Sequence, residues 1–182
     1  LDINTPCPPL AVTVPKQDIQ WAESEQKRLS IHETGYIMIH TGSNQLTPSE
    51  GIDNIYPVKK WQQIIADIQH RQPDLPIVIL QDAEDQNLVN SLIYSAENLK
   101  VTAPSDIGKL AAMIASANLL LSTDSAPMHL AIAVGTYTIA LFASTDTKKL
   151  LPQSDRVRSL QSPTRSVADI SPVDVLDKIW RG

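Results

Sequence analysis

Short, continuous apolar runs alternate with helical patterns along almost the whole chain, and this alternation limits the fold more than any other feature. Residues 36–40, 76–80, 99–102, 119–122, 137–142 and 157–160 read as strands. The stronger runs (IMI, IVIL, LLL, TIALF) lack polar alternation. Strands of that kind are buried on both faces, as in parallel sheets covered by helices on either side. Between them lie helical patterns. Pro57 opens a helix carrying Trp61, Ile64, Ile65 and Ile68 on one face. Further helices are predicted over about 84–95, over 106–116 with Asp106 as cap, over 125–134, near 145–151, and over 172–180 with Ser171 as cap. A weaker pattern (Ile19, Ala22, Leu29) marks a helix over 17–30. It follows a Pro-rich stretch, 1–15, that reads as a linker or extended arm. The connections are short, as α/β units require. The predicted fold is α/β: a Rossmann-like, doubly wound parallel sheet of about six strands, without internal repeat.

Composition removes several classes of function. A chain of 182 residues buries roughly 70% of its unfolded surface, so it needs neither disulfide nor metal to hold a core. The net charge of -5 disfavours a general phosphate-backbone binder, so no nucleic-acid partner is expected. The one cysteine, Cys7, excludes an internal disulfide framework and a Cys-based zinc site. It lies in the Pro-rich arm with no adjacent base to activate it. His32 and His70 lack partners at ligand spacing, and no metal site is expected. The longest apolar stretches, 110–121 and 131–143, are too short and interrupted to span a bilayer, and no secretory signal is visible. Neither a P-loop nor a Gly-x-Gly-x-x-Gly motif is present. The chain starts with Leu rather than Met, which suggests a processed or excised piece.

Ligands of doubly wound sheets bind at the carboxyl ends of the strands, so the informative loops follow His40, Leu80, Thr102, Ser122 and Phe142. After Ser122 a buried strand passes into a helix through Thr123, Asp124 and Ser125. Small residues there leave the N–H groups of the first helical turn uncovered. With the helix dipole they form an anion site. Pro127 is tolerated in that turn, and His129 lies close enough to donate to a phosphate. Asp124 would repel a diphosphate, so it either accepts sugar hydroxyls or caps the helix. The plainer reading makes Asp124 or Ser125 a cap and His129 a half-buried side chain. After His40, Gly42 permits a tight turn, Thr41 and Ser43 offer hydroxyls, and Lys59 and Lys60 supply positive charge at the next helix. That loop equally fits a solvated surface with exposed lysines. His40 itself either lines the site or packs.

The string TDSAPMHLA over 123–131, followed by Val134-Gly-Thr and then IALFASTD over 139–146, resembles glycosyltransferase family 9, the heptosyltransferase-like enzymes of the GT-B fold. Asp124, Ser125 and His129 match the family's Asp-Ser/Thr-Gly-x-x-His motif. Ala126 and Ala143 stand where glycines are usual, and Thr147 where a proline is. The resemblance covers most of 34–180. It implies that this is the C-terminal, donor-binding half of a GT-B enzyme, residues 34–182, preceded by an interdomain linker and leading helix over 1–33.

The resemblance also implies particular roles. Thr41 and Ser43 would face the donor diphosphate and Lys59 would neutralise it, Lys60 being the variable neighbour. Glu84, with Asp85 as the other candidate, would bind the ribose hydroxyls, unless these acids simply favour a helix N-terminus. Pro104 would lie beside the base. Asp124, Ser125, Ala126 and His129 would hold the diphosphate sugar. The implied substrate is a nucleotide-diphosphate sugar of the ADP-heptose type, used for inverting transfer in lipopolysaccharide or related glycan synthesis, with no cofactor. The general base belongs to the family's N-terminal domain, which this chain lacks, so the chain alone is expected to bind donor weakly and transfer nothing. A cytoplasmic location follows, at the inner membrane face when joined to the other half. The rivals are a stand-alone nucleotide-binding or interaction domain, and half of another GT-B enzyme such as a nucleotide-sugar epimerase.

Overall fold

The apolar runs pair side by side as six parallel strands. The structure, a computed structural model, describes residues 11–42, 54–82, 85–143, 151–152 and 154–181. The strands are β1 (Ile37–His40), β2 (Ile77–Leu80), β3 (Lys100–Thr102), β4 (Leu119–Thr123), β5 (Thr138–Phe142) and β6 (Val157–Gln161), in the order β3-β2-β1-β4-β5-β6. The helices are α1 (Lys16–Leu29), α2 (Val58–Arg71), α3 (Gln86–Ser95), α4 (Ile107–Ala115), α5 (Ala126–Val134) and α6 (Pro172–Arg181), with a single 3-10 turn at Val167–Asp169. The helix expected near 145–151 falls largely outside the described residues.

Two cores sandwich the sheet, because successive residues of each strand point to opposite faces. Ile37 and Ile39, Ile77 and Ile79, and Leu119 and Leu121 pack with Trp61, Ile64, Ile65 and Ile68 of α2, Val89 and Leu92 of α3, and Val175 of α6. Met38, Val78, Leu80 and Leu120 face Ala22 and Leu29 of α1, Ala112 to Ile114 of α4, and Ala131 of α5. Every residue of β1, β2, β4 and β5 is buried, which is why these strands read as unbroken apolar runs. Among the described residues no helix is long and apolar enough to cross a membrane.

The predicted caps are present. The Asp106 carboxylate accepts the N–H of Lys109 at 3.0 Å, and the Ser171 hydroxyl accepts that of Val173 at 3.2 Å. The Lys109 N–H, and then its ammonium 2.9 Å away, hold the Asp106 carboxyl down to about 2. A carboxyl lowered on folding stabilises above its unfolded value and loses that contribution as pH falls through its folded value. Asp106→Ala is therefore expected to lower the melting temperature at neutral pH, with the gap from wild type closing between about pH 4 and 2. Melting curves of both proteins across that range check it.

Candidate functional site at the sheet's switch point

The strand order reverses direction between β1 and β4. β1 has β2 on one side and β4 on the other, in a register that sets His40 beside Leu80 and beside Ser122. From its carboxyl end the chain leaves β1 toward α2 on one face, while from β4 it enters α5 on the other. An open α/β sheet binds its ligand in the crevice outside the carboxyl ends of its strands at such a switch point.

At the start of α5, Ser125 is the cap. Its backbone is extended and its hydroxyl accepts the N–H of Met128 at 3.4 Å. Of the two capping alternatives the geometry thus selects Ser125. Asp124 donates its own N–H to the Leu141 carbonyl at 3.0 Å, and its carboxylate lies 3.7 Å from the half-exposed ring of His129. Asp124 therefore keeps acceptor capacity for hydroxyls. Ala126 is exposed on the first turn beside buried Pro127.

Beneath this turn lies a hydrogen-bonded chain centred on His40, whose side chain is 1% exposed. Its Nδ1 is 3.1 Å from the Ser125 hydroxyl and 3.2 Å from that of Ser122, and its Nε2 is 3.2 Å from an oxygen of Asp82. That bond holds the Asp82 carboxyl below the usual range. Asp85, buried at the cap of α3, accepts the N–H of Asp82 at 2.8 Å and the hydroxyl of Thr41 at 3.2 Å, and desolvation raises its carboxyl. His40, Asp82 and Asp85 bring potential ligand atoms within 4.8 Å of one another. Both nitrogens of His40 and both oxygens of Asp85 are engaged in hydrogen bonds, so the group is built as a polar network joining three loops.

The residues singled out from the sequence fall unequally into this geometry. Asp124, Ser125, Ala126 and His129 stand together at the α5 turn. Thr41 does not face the crevice as expected: it is 1% exposed, and strand alternation turns its hydroxyl onto Asp85 on the α3 side. Asp85 is likewise occupied. Lys59 is exposed on the first turn of α2, and its ammonium makes no hydrogen bond or ion pair among the described residues. Lys60 instead reaches the carbonyls of Ala168 and, at 3.0 Å, Ile170. Pro104 is half-buried beyond β3, and Ala143 is fully buried in the core. Ser43 and Glu84 lie outside the described residues. Sequence reasoning missed Asp82 and the joint role of His40 and Ser122. The doubly wound strand order, applied to the predicted strands, was the signal that places the three side by side.

The model of glycosyltransferase family 9 (heptosyltransferase) matches residues 7–179. The chain belongs to glycosyltransferase family 9. Solved structures agree in fold. A family 9 glycosyl transferase from Veillonella parvula superposes with a TM-score of 0.81 at 17% identity, over 96% of this chain and 53% of that one. ADP-heptose lps heptosyltransferase II of E. coli does so with a TM-score of 0.76 at 17% identity, over 98% of this chain and 54% of that one. The UDP-GlcNAc 2-epimerase of Neisseria meningitidis, with a TM-score of 0.60 at 15% identity over 91% of this chain and 42% of that one, shares the same architecture. A comparison with curated protein sequences gives no match. The family 9 domain described here thus spans about half the length of the structures it resembles.

Proposed function

We propose that this domain binds the donor of an inverting glycosyltransferase, a nucleotide-diphosphate sugar of the ADP-heptose type used in lipopolysaccharide or related glycan synthesis. The observation that carries the reading is the α5 turn at the switch point, where a serine-capped helix N-terminus, the Asp124 carboxylate and the half-exposed His129 ring meet. The fold is also shared with E. coli heptosyltransferase WaaC, solved with ADP-2-deoxy-2-fluoro heptose, with a TM-score of 0.67 at 16% identity. As the sugar–phosphate bond breaks, negative charge grows on the departing diphosphate. The N–H groups and dipole of α5, the ammonium of Lys59 and the ring of His129 stabilise that charge. Asp124 accepts hydroxyls of the sugar. The acceptor hydroxyl requires a general base. We assign that base to a complementary domain not contained in these 182 residues, reached through a linker within 1–33. The working site is then cytoplasmic, at the inner membrane face where a lipid-linked acceptor is met.

Melting in millimolar ADP, UDP, GDP and CDP tests the reading. A nucleotide at about 100 times its dissociation constant adds roughly 2.7 kcal/mol, several degrees for a domain of this size. ADP is expected to raise the midpoint, and Lys59→Ala and Asp124→Ala to diminish the rise. The epimerase likeness supplies the second reading, which a preference for UDP would favour. The chain alone is expected to transfer no sugar to any acceptor. Transfer by the purified chain would contradict the assignment of the base, and no shift with any nucleotide would contradict the donor reading itself.

A further inference from the structure

The hydrogens around His40 can be counted. Asp82, a carboxylate, faces Nε2 at 3.2 Å, so Nε2 carries a proton and donates it. Ser122 donates its hydroxyl to the Thr123 carbonyl at 2.8 Å, so its oxygen can only accept from its other neighbours. The Ser125 hydroxyl lies 2.9 Å from Ser122 Oγ and 3.1 Å from His40 Nδ1. In the neutral ring Nδ1 is bare within a buried side chain, and among these groups only Ser125 has a proton to offer it. In the charged ring Nδ1 donates instead, and the Ser125 proton is released.

We propose that His40 is a positioning residue of the α5 anion site: protonation of its ring turns the Ser125 hydroxyl away from the imidazole and toward a bound diphosphate. The inference rests on the donor reading above and adds its regulation by protons. Among the described residues, the charged groups facing His40 are Asp82, from the loop after β2, and Asp85, at the cap of α3. β4 and α5 present it with the hydroxyls of Ser122 and Ser125. Beyond them, Asp124 and His129 stand 3.7 Å from each other. On the α1 side, Glu25 is paired with Arg28 at 2.7 Å and accepts from Thr102 of β3 at 2.8 Å. Anion binding and ring protonation therefore favour one another, and binding draws a proton from solvent.

The probe is ADP-ribose, whose two esterified phosphates do not titrate near neutrality. Calorimetric titrations between about pH 6 and 8, in buffers of different ionisation heat, read both affinity and proton uptake. The expected result is uptake approaching about one proton, with affinity falling by up to about tenfold per unit rise in pH. In a His129→Gln background, which removes the half-exposed ring placed at the diphosphate, the uptake remains, and adding His40→Gln abolishes it. Asp82→Asn, at a half-exposed side chain, shifts the pH dependence of binding to lower pH. Imidazole nitrogen shifts of the free domain should give the Nε2–H tautomer for neutral His40. Binding without uptake in the His129→Gln background, uptake that survives His40→Gln in that background, or an Nδ1–H tautomer overturns this inference and leaves the donor reading standing. No ADP-ribose binding at any pH overturns both.

Discussion

Trp61→Ala is expected to destabilise the domain by about 3–5 kcal/mol, more than any other single side-chain truncation proposed here. The indole is fully buried. It meets the Tyr56 ring edge-on, with centroids 5.0 Å apart and planes at 76°. The Tyr56 hydroxyl in turn donates to the Ile170 carbonyl at 3.2 Å, and Lys60 reaches the same carbonyl while its ammonium lies 5.9 Å from the Tyr56 ring centre. Trp61 is thus the centre of a joint that fastens the start of α2 to the turn before α6. Truncation leaves a cavity with a rigid strand floor, which cannot collapse to fill it. Among the described residues the indole N–H has no partner, so its loss carries no hydrogen-bond penalty there. Trp61→Phe, which keeps a ring against Tyr56 and removes that orphaned donor, is expected to retain most of the stability. Urea unfolding followed by far-ultraviolet circular dichroism separates the two. A phenylalanine variant as unstable as the alanine variant would show that the indole's full volume, rather than an aromatic surface, holds the joint.

The same helix shows how far the sequence could be read. Trp61, Ile64, Ile65 and Ile68 declare a buried stripe through helical spacing, and α2 follows it. The stripe's phase also separates the two lysines. Lys60 is one turn before Ile64, at the stripe's flank, so its stem packs and its ammonium reaches backbone carbonyls. Lys59 is rotated away and remains exposed. Caps were legible for a similar reason. Asp106 and Ser125 act on N–H groups three residues ahead, within the reach of a local pattern. What local pattern cannot carry is contact between distant segments. His40 meets Asp82 across 42 positions and Ser125 across 85. Thr41 illustrates the finer failure. Its position at a strand end suggested a hydroxyl turned to the ligand, yet the pleat sends residue 40 to one face and residue 41 to the other. His40 therefore sits under the anion turn, and Thr41 secures α3.

Gly42→Ala is expected to reduce both stability and ligand binding, because Gly42 is where the two loops of the crevice touch. Its φ is +91°, a conformation an alanine adopts only with strain of about 1–2 kcal/mol. An added Cβ would also stand 2.5 Å from the Thr123 hydroxyl oxygen, at the end of β4. That hydroxyl is fully buried and without a partner among the described residues. The clash pushes the loop after β1 away from the strand that leads into Ser125, so a combined loss of roughly 2–4 kcal/mol is expected, together with a diminished nucleotide shift. Thr123→Ala separates the two contributions. The Thr123 Cβ lies 3.7 Å from the added methyl, an ordinary contact, so the double variant removes the collision and keeps the backbone strain. It should therefore recover the nucleotide shift while regaining only part of the stability. Melting curves of the two single variants and the double variant, with and without ADP, give the coupling directly. Additive losses in stability and in nucleotide shift would mean that Gly42 acts through its backbone alone, and that the crevice does not depend on the contact between its two loops.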